Sequence, residues 1–425
     1  MDRRRQRASE PQASCREAHN KRVASLLVFL CLLSCAISAQ AQGDSSPKLS
    51  MVEIRPESAP GVYLEGAALS PDGGQVAAAF RRVGPHSEIA VSVRVWNVGS
   101  NDPIVSKDLY SEESTPSESF TRARGFVQYC DNGSGVMVAA RGTLYYLNPR
   151  TLEVLHATAT SIGDHPIPKQ VFCAAKSPRA VVAGFAGAYC CLVRVYDLTS
   201  GALLREWDMT KGRYPFGDVA ISPSGNQIAV SYVPENSLGR SKAVENLELF
   251  DVSTGKVSLK VKTGHLPGRI SFAGETRVAT DDTLEPQPLL PHPEIKLWDL
   301  SDGKLLRTFG DPKLGARRFV GASSDGNVIL GYIPKETLHS GGGIEGGLWN
   351  QTLEQRFRLW DAATGQTIAT SPPLLPIESS TIEGFDPSLQ VSGNGHAVIV
   401  FWKSPREILP LYVLSMAQPA QSQPH

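Results

Sequence analysis

A five-residue pattern that recurs along most of the chain constrains the fold more than any other feature of the sequence. In each clear copy, apolar and polar side chains alternate, a large apolar residue follows, and Asp or Asn ends the segment. This period of two is typical of a β-strand that buries one face. The five clear copies occupy residues 93–97, 193–197, 247–251, 295–299 and 357–361. We therefore expect the chain to fold as a series of similar units.

The spacing of the copies predicts how many units there are. Two weaker copies, at residues 144–148 and 411–415, complete the series. From Asn97 to Ser415 the series has six intervals, which average 53 residues. The sequence therefore predicts seven repeats.

Turn signals divide each repeat into four strands. After the pattern comes a turn such as 251–255, where the Asp carboxylate can accept backbone N–H groups and the final Gly can adopt a left-handed conformation. A second turn lies upstream, between two apolar runs, as in Ser-Pro-Asp-Gly at 70–73. Each repeat is thus predicted to be a four-stranded antiparallel sheet in an all-β chain.

These repeats resemble those of the WD40 family over roughly residues 48–415, which implies a seven-bladed β-propeller with its blades arranged around a channel. The family's Gly-His pair survives only as Gly264-His265 in the fifth repeat. The position of the family's Asp, six residues before the Trp, is His292 in that repeat and Ala90 in the first. We therefore expect the family's buried hydrogen-bond network to be absent and the chain to be a divergent relative.

The seventh repeat ends without a fourth strand. Only a polar tail, residues 416–425, follows its third strand. Residues 49–55 are extended and apolar in pattern and belong to no repeat. We predict that they supply the missing strand and so close the last blade of the ring.

The N-terminal 41 residues have the features of a secretion signal. A basic start leads into an apolar run, and Ala39-Gln40-Ala41 provides the small residues that signal peptidase requires. We predict cleavage after Ala41, a short linker at 42–47, and a secreted or periplasmic protein with no stable membrane span. One alternative is a lipoprotein signal in which Cys35 is acylated. Another is an uncleaved anchor, although the segment turns polar by Ser38 and a span needs roughly 20 apolar residues.

The charge balance argues against a nucleic-acid partner. When the seven basic and three acidic residues of 1–41 are set aside, the 42 basic and 42 acidic residues of the whole chain become 35 and 39. A mildly acidic domain lacks the basic surface that dominates affinity for nucleic acid.

Four cysteines follow the signal segment, and they permit three pairings. We interpret Cys130 and Cys173 as small, buried residues with free thiols, with a disulfide bridge as the alternative. A bridge between the adjacent Cys190 and Cys191 would distort the backbone, because successive strand residues point to opposite faces. No Cys or His pairs have the spacing of a structural zinc site.

Long insertions predict where a partner binds. They fall between the second and third strands, at 234–242, 284–293 and 334–356, and such connections leave a propeller on the same face as the links between blades. Long loops on a rigid scaffold are where binding residues concentrate, and aromatic and Arg side chains dominate interfaces. The candidate partner-binding residues are Trp349, Tyr214, Phe216, Arg213, Arg317 and Arg318. The alternative is that Trp349 packs against its own loop and that the arginines are simply solvated.

The sequence contains no catalytic motif. It has no Gly-x-Ser-x-Gly segment, and its glycine-rich stretch at 340–343 lacks the Lys-Ser/Thr ending of a phosphate-binding loop. Trp96, Trp298 and Trp360 occupy regular strand positions, which predicts packing between blades.

We therefore expect a monomeric, non-catalytic scaffold that binds a protein or peptide, with no cofactor and no metal. The alternative is a propeller enzyme with its site at the channel mouth, either a metal-dependent lactonase-like hydrolase or a quinoprotein-like dehydrogenase. Quinoprotein repeats place a Trp four residues after the Gly of their Asp-x-x-Thr-Gly turn. In this chain Ala369 stands at that place after Gly365.

Overall fold

The computed structural model describes fourteen segments of the chain. They are residues 49–84, 88–113, 127–140, 142–160, 170–184, 192–209, 213–234, 246–263, 268–281, 294–310, 318–337, 352–372, 388–402 and 408–416. The chain divides into Met1–Ser46 and Pro47–His425, and every described residue belongs to the second unit. The predicted signal segment, its Cys35 and the linker at 42–47 lie outside the described residues.

The alternating pattern forms strands throughout, and the fold-class prediction is confirmed. Twenty-eight strands make seven sheets of four antiparallel strands each. In six of the sheets the strands follow chain order, and the seventh combines the N-terminal strand with the last three strands. The inner strands of neighbouring sheets face one another around the centre. The molecule is a seven-bladed β-propeller.

The first strand of the described chain, β1 (Leu49–Ile54), belongs to the last blade, and blades 1 to 4 follow it along the chain. Blade 1 is β2 (Val62–Leu69), β3 (Gln75–Val83), β4 (Glu88–Asn97) and β5 (Val105–Glu113). Blade 2 is β6 (Val127–Cys130), β7 (Gly135–Ala140), β8 (Thr143–Leu147) and β9 (Val154–Ala159). Blade 3 is β10 (Gln170–Cys173), β11 (Arg179–Gly184), β12 (Leu192–Asp197) and β13 (Leu203–Asp208). Blade 4 is β14 (Arg213–Ile221), β15 (Gln227–Pro234), β16 (Asn246–Asp251) and β17 (Val257–Lys262).

Three further blades complete the ring. Blade 5 is β18 (Ile270–Phe272), β19 (Arg277–Asp281), β20 (Ile295–Asp299) and β21 (Leu305–Phe309). Blade 6 is β22 (Arg318–Ala322), β23 (Val328–Thr337), β24 (Thr352–Asp361) and β25 (Thr367–Thr370). Blade 7 is β26 (Ser388–Val391), β27 (Ala397–Phe401), β28 (Leu411–Met416) and β1.

The N-terminal strand closes the ring, as the sequence predicted. Strand β1 pairs antiparallel with β28, from Leu49 opposite Met416 to Ile54 opposite Leu411. Ile54 is fully buried and packs with Phe80 and Trp96 of blade 1. The outer strand of blade 7 is therefore held both by its hydrogen-bond ladder and by apolar contact with the next blade.

The hydrophobic core consists of seven clusters, one at each junction between neighbouring blades. Each cluster combines the facing sides of two sheets, which is why the strand pattern needs an apolar residue at every second position. Trp96, Trp298 and Trp360 are buried in three of these clusters. Their predicted role in packing between blades is therefore confirmed.

Cys130 and Cys173 form a disulfide, with their Cα atoms 5.7 Å apart. Our interpretation of these residues as free buried thiols was wrong. They end β6 and β10, the first strands of adjacent blades, so radial packing places them side by side although 43 positions separate them in sequence. Cys190 and Cys191 lie outside the described residues.

One of the repeated tryptophans makes a side-chain hydrogen bond inside its own blade, blade 5. The Trp298 indole N–H donates a hydrogen bond of 2.9 Å to Thr280 Oγ1. Gly264, His265 and His292 lie outside the described residues, so the absence of the family's wider network stays a prediction.

Among the described residues, no helix is long and apolar enough to cross a bilayer.

Candidate functional site

The antiparallel sheets give the propeller two different faces. One, which we call the turn face, carries the turns between first and second strands and between third and fourth strands. The other, the loop face, is where the connections between second and third strands and the links between blades begin and end. The two faces differ in how many of their turns already contact a neighbouring blade.

On the turn face, the first turn of each blade contacts the first turn of the next. Asn132 N–H donates to the Ala175 carbonyl at 2.6 Å, which joins blades 2 and 3. Lys176 N–H donates to the Pro223 carbonyl at 2.8 Å, which joins blades 3 and 4. These backbone bonds tie neighbouring turns together directly.

The other five junctions are closed by similar contacts. Ser224 Oγ donates to Glu275 Oε2 at 2.9 Å between blades 4 and 5, and Asp325 N–H donates to Gly393 O at 3.3 Å between blades 6 and 7. Asn394 N–H donates to Pro71 O at 3.0 Å between blades 7 and 1. At the remaining two junctions, blades 1–2 and 5–6, the contacts are so close that a Cβ on Gly133 would lie 3.0 Å from Pro71 Cδ, and one on Gly326 would lie 2.6 Å from Ala273 O.

Further out on the turn face, the fourth strand of one blade holds the outer turn of the next. Arg205 donates to the carbonyls of Val252 and Ser253. Arg307 donates to Ala363 O and Thr364 O, each at 2.7 Å. Most turns of this face are thus committed to neighbouring blades, which leaves the loop face as the better candidate for binding.

The loop face is uneven, because the strands of the blades differ in length. In blade 6, β23 and β24 are each ten residues long and stay paired as far as Thr337 opposite Thr352. In blade 1, β3 has nine residues and β4 has ten, whereas β27 of blade 7, which lies between these two blades, has five. At about 3.3 Å per residue, β3 of blade 1 and β23 of blade 6 extend roughly 13 to 17 Å further than β27 of blade 7.

The structure puts three of the predicted binding residues at the loop-face end of blade 4. Arg213 begins β14 and pairs with Pro234, and Phe216 pairs with Tyr232. Tyr214 lies between them in the same strand. Irregular register around Phe216 marks a bulge in this part of the strand. Only the backbone of these residues is described.

The other three candidates belong to blade 6 and its links. Arg318 begins β22, opposite Tyr332, at the loop-face end of the strand. Arg317 and Trp349 lie outside the described residues, and Trp349 belongs to the connection between β23 and β24. Blade 5 separates the two groups of candidates, so the structure does not bring all of them together.

Sequence reasoning missed two buried carboxylates at the inner ends of blades 4 and 5. Asp218 Oδ2 accepts the Ile270 N–H at 2.9 Å, which links β14 to β18 across the blade junction. Asp281 Oδ1 accepts the Arg269 N–H at 2.8 Å. Both carboxylates are fully buried. An acid directly before the apolar run Val219-Ala220-Ile221 of β14 was the signal that could have revealed the first of them.

A further cluster lies on the inner strands of blade 1. Arg81 Nε donates to the buried Glu65 at 2.6 Å, and the Arg81 guanidinium lies 4.8 Å from the centre of the Tyr63 ring. Glu65 is the bulged residue of β2. The neighbouring Arg82 is exposed and pairs through its backbone with Val62, the first residue of β2.

Within the described segments, no three His, Cys, Asp or Glu side chains are grouped so that they could hold a metal ion.

Comparison with known proteins supports the fold assignment and gives no information about the function. No protein-family model and no curated protein matches the sequence. Among solved structures, that of U3-55K is similar, with a TM-score of 0.52 over 87% of this chain and 99% of that one, at 10% sequence identity. A likeness at this identity concerns the backbone, and it agrees with the seven blades described above: the chain has the β-propeller fold.

Proposed function

We propose that this chain is a non-catalytic, exported, WD40-like propeller that holds a protein or peptide partner on its loop face. The observation that carries the proposal is the difference between the two faces. At every blade junction the first turns of the turn face contact each other, whereas the loop face bears the long insertions and the extended hairpin of blade 6. Binding residues concentrate in long connections on rigid scaffolds.

Export is supported by the disulfide as well as by the predicted signal. Disulfides persist in oxidising compartments and are rare in the cytosol. The Cys130–Cys173 bond joins two strands of the propeller itself. It favours a secreted or periplasmic site of action, with lipid anchoring through Cys35 as the alternative.

The proposal is tested by affinity capture with the tagged mature protein and an extract of the compartment to which its source exports it. We expect a specific protein to be captured by the wild type and lost with Trp349→Ala or Tyr214→Ala. Arg150→Ala, an exposed change on the turn face, is the matched control and should retain the partner. If the loop-face variants captured the same protein as well as the wild type, the loop face would not be the binding surface.

Elemental analysis of the same preparation tests the enzymatic alternative. Stoichiometric calcium or zinc together with hydrolysis of a lactone would replace the scaffold proposal with that of a metal-dependent enzyme.

A further inference from the structure

The loop-face ends of the inner strands carry a set of basic residues. Arg213 and Arg318 are the first residues of β14 and β22, and Arg269 immediately precedes β18. Three consecutive blades therefore present an Arg where the inner strand begins. Arg269 and Arg318 occupy equivalent positions, each opposite the fifth residue of the second strand of its blade.

Blade 1 adds a fourth basic residue at the same end. Arg82 lies opposite Val62, where β2 begins, and its side chain is exposed. In the other three blades the inner strand begins with Val127, Gln170 or Ser388. None of the seven inner strands that the structure describes begins with an acid.

The acids of the inner strands already have partners inside the fold. Glu65 accepts from Arg81 at 2.6 Å, and Asp218 accepts the Ile270 N–H at 2.9 Å. Asp281, on the strand beside Arg269, accepts the Arg269 N–H at 2.8 Å. All three carboxylates are buried, so they contribute little negative charge to the surface above them.

We propose that the loop-face end of the channel binds a segment of the protein partner that is rich in Asp and Glu. This inference rests on the proposed scaffold function. Arg213 of blade 4 and Arg318 of blade 6 are the main contacts of this segment, and Arg82 of blade 1 is a further basic residue at the same end of the channel. Guanidinium groups bind carboxylates through two parallel hydrogen bonds, and complementary charge speeds encounter and sets specificity. A nucleic-acid strand is the less favoured anion, because its binding depends on many contacts with phosphates. The domain after residue 41 has no basic excess to supply them, with 35 basic and 39 acidic residues, whereas a short acidic segment needs only a few local arginines.

The test uses the mature protein and a fluorescent peptide of ten glutamates, with binding followed by anisotropy. We expect the double variant Arg213→Ala/Arg318→Ala to bind the peptide at least tenfold more weakly, and raised salt to weaken binding by the wild type. Arg150→Ala, which removes an exposed Arg from the turn face, should stay within twofold of the wild type. Melting curves of each variant verify that the propeller is folded.

Three results would overturn the proposal, each in a different way. Equal losses in Arg150→Ala and the double variant would show that the peptide responds to overall charge. Tighter, Arg213-dependent binding of a single-stranded thymidine oligonucleotide would identify nucleic acid as the ligand. If the peptide fails to bind while the double variant still captures a protein that Trp349→Ala loses, the acidic specificity is wrong and the scaffold function stands.

Discussion

Cys130 and Cys173 join the inner strands of blades 2 and 3 at their turn-face ends, where both blades, like blade 5, lack the serine that closes the first turn in blades 1, 4, 6 and 7. In blade 6, Ser323 Oγ accepts the Val328 N–H at 3.0 Å and donates to Asp325, and blades 1, 4 and 7 use serine in the same way. The corresponding residues of blades 2 and 3 are Asp131 and Ala174, which follow the two cysteines directly. A covalent bond between neighbours thus accompanies two turns that lack this local hydrogen bond.

Loss of the disulfide should destabilise the propeller substantially. The bond closes a segment with a sequence separation of 43, for which the chain-entropy model gives about 4 kcal/mol. We expect Cys130→Ser/Cys173→Ser to lower the free energy of unfolding by about that amount in urea titrations. Reductant should lower the wild-type midpoint and leave the double variant unchanged. If reductant left the urea midpoint of the wild type unchanged, the disulfide would not be present in the protein.

The closing strand supplies the second prediction. Ile54 is fully buried in the apolar cluster between blades 7 and 1, so Ile54→Ala should lower the free energy of unfolding by about 3 kcal/mol. Met51, in the same strand, is 51% exposed. Met51→Ala should therefore change the free energy of unfolding by no more than about 0.5 kcal/mol. Comparable losses in the two variants would contradict the role assigned to this strand.

A third prediction concerns the contact between the turns of blades 5 and 6. Gly326 has φ +81°, and a Cβ there would lie 2.6 Å from the Ala273 carbonyl oxygen. We expect Gly326→Ala to destabilise the protein by about 2 kcal/mol, because both the backbone conformation and the close approach oppose a side chain. Gly321 has no atom within 4 Å of a Cβ and no positive φ, so Gly321→Ala is the matched control. Chemical denaturation of both variants measures the difference.

Acid should weaken the first turn of blade 1. The Ser70 hydroxyl and the Gly74 N–H donate to the Asp72 carboxylate and lower the pKa of that group. Because the folded pKa lies below the unfolded one, this stabilisation is present above about pH 4 and is lost as the pH falls through the folded value. Blade 7 has Asn394 in the same position, so Asp72→Asn should keep the turn and remove the titration.

The measurement compares urea midpoints at pH 7 and pH 3. The wild type should lose more stability on acidification than Asp72→Asn, by about 0.5 kcal/mol or less, because Asp72 is exposed and its interactions are screened. Identical losses would show that the turn does not depend on the charge.

Local patterns predicted the blades, and what they could not predict depends on contacts between blades. The alternation around Trp298 and Trp360 predicted strands, and the spacing from Asn97 to Ser415 predicted seven repeats, one for each blade. The closing strand followed from counting, since one strand was missing and one apolar segment was unassigned. These features are local or periodic, so a single sequence is enough to reveal them.

The disulfide and the buried Asp218 were not predicted, because their partners lie in other blades. Cys130 meets Cys173, and Asp218 meets the Ile270 amide, only when radial packing places successive inner strands side by side. The candidate site is a similar case. Loop length predicts which face binds, but which of Arg213, Arg318 and Trp349 act together depends on how the connections fold.

The pairing of Leu49 with Met416 also has a practical consequence. The first and last described residues are neighbours, so the chain enters and leaves the propeller on the turn face, away from the candidate binding face. The same closeness allows a circular permutant, in which a short linker joins the two ends and new termini open in a connection between blades. Blade 7 would then form from one continuous stretch of chain. The blade that combines strands from both ends of the chain would be the one in which the new termini are placed.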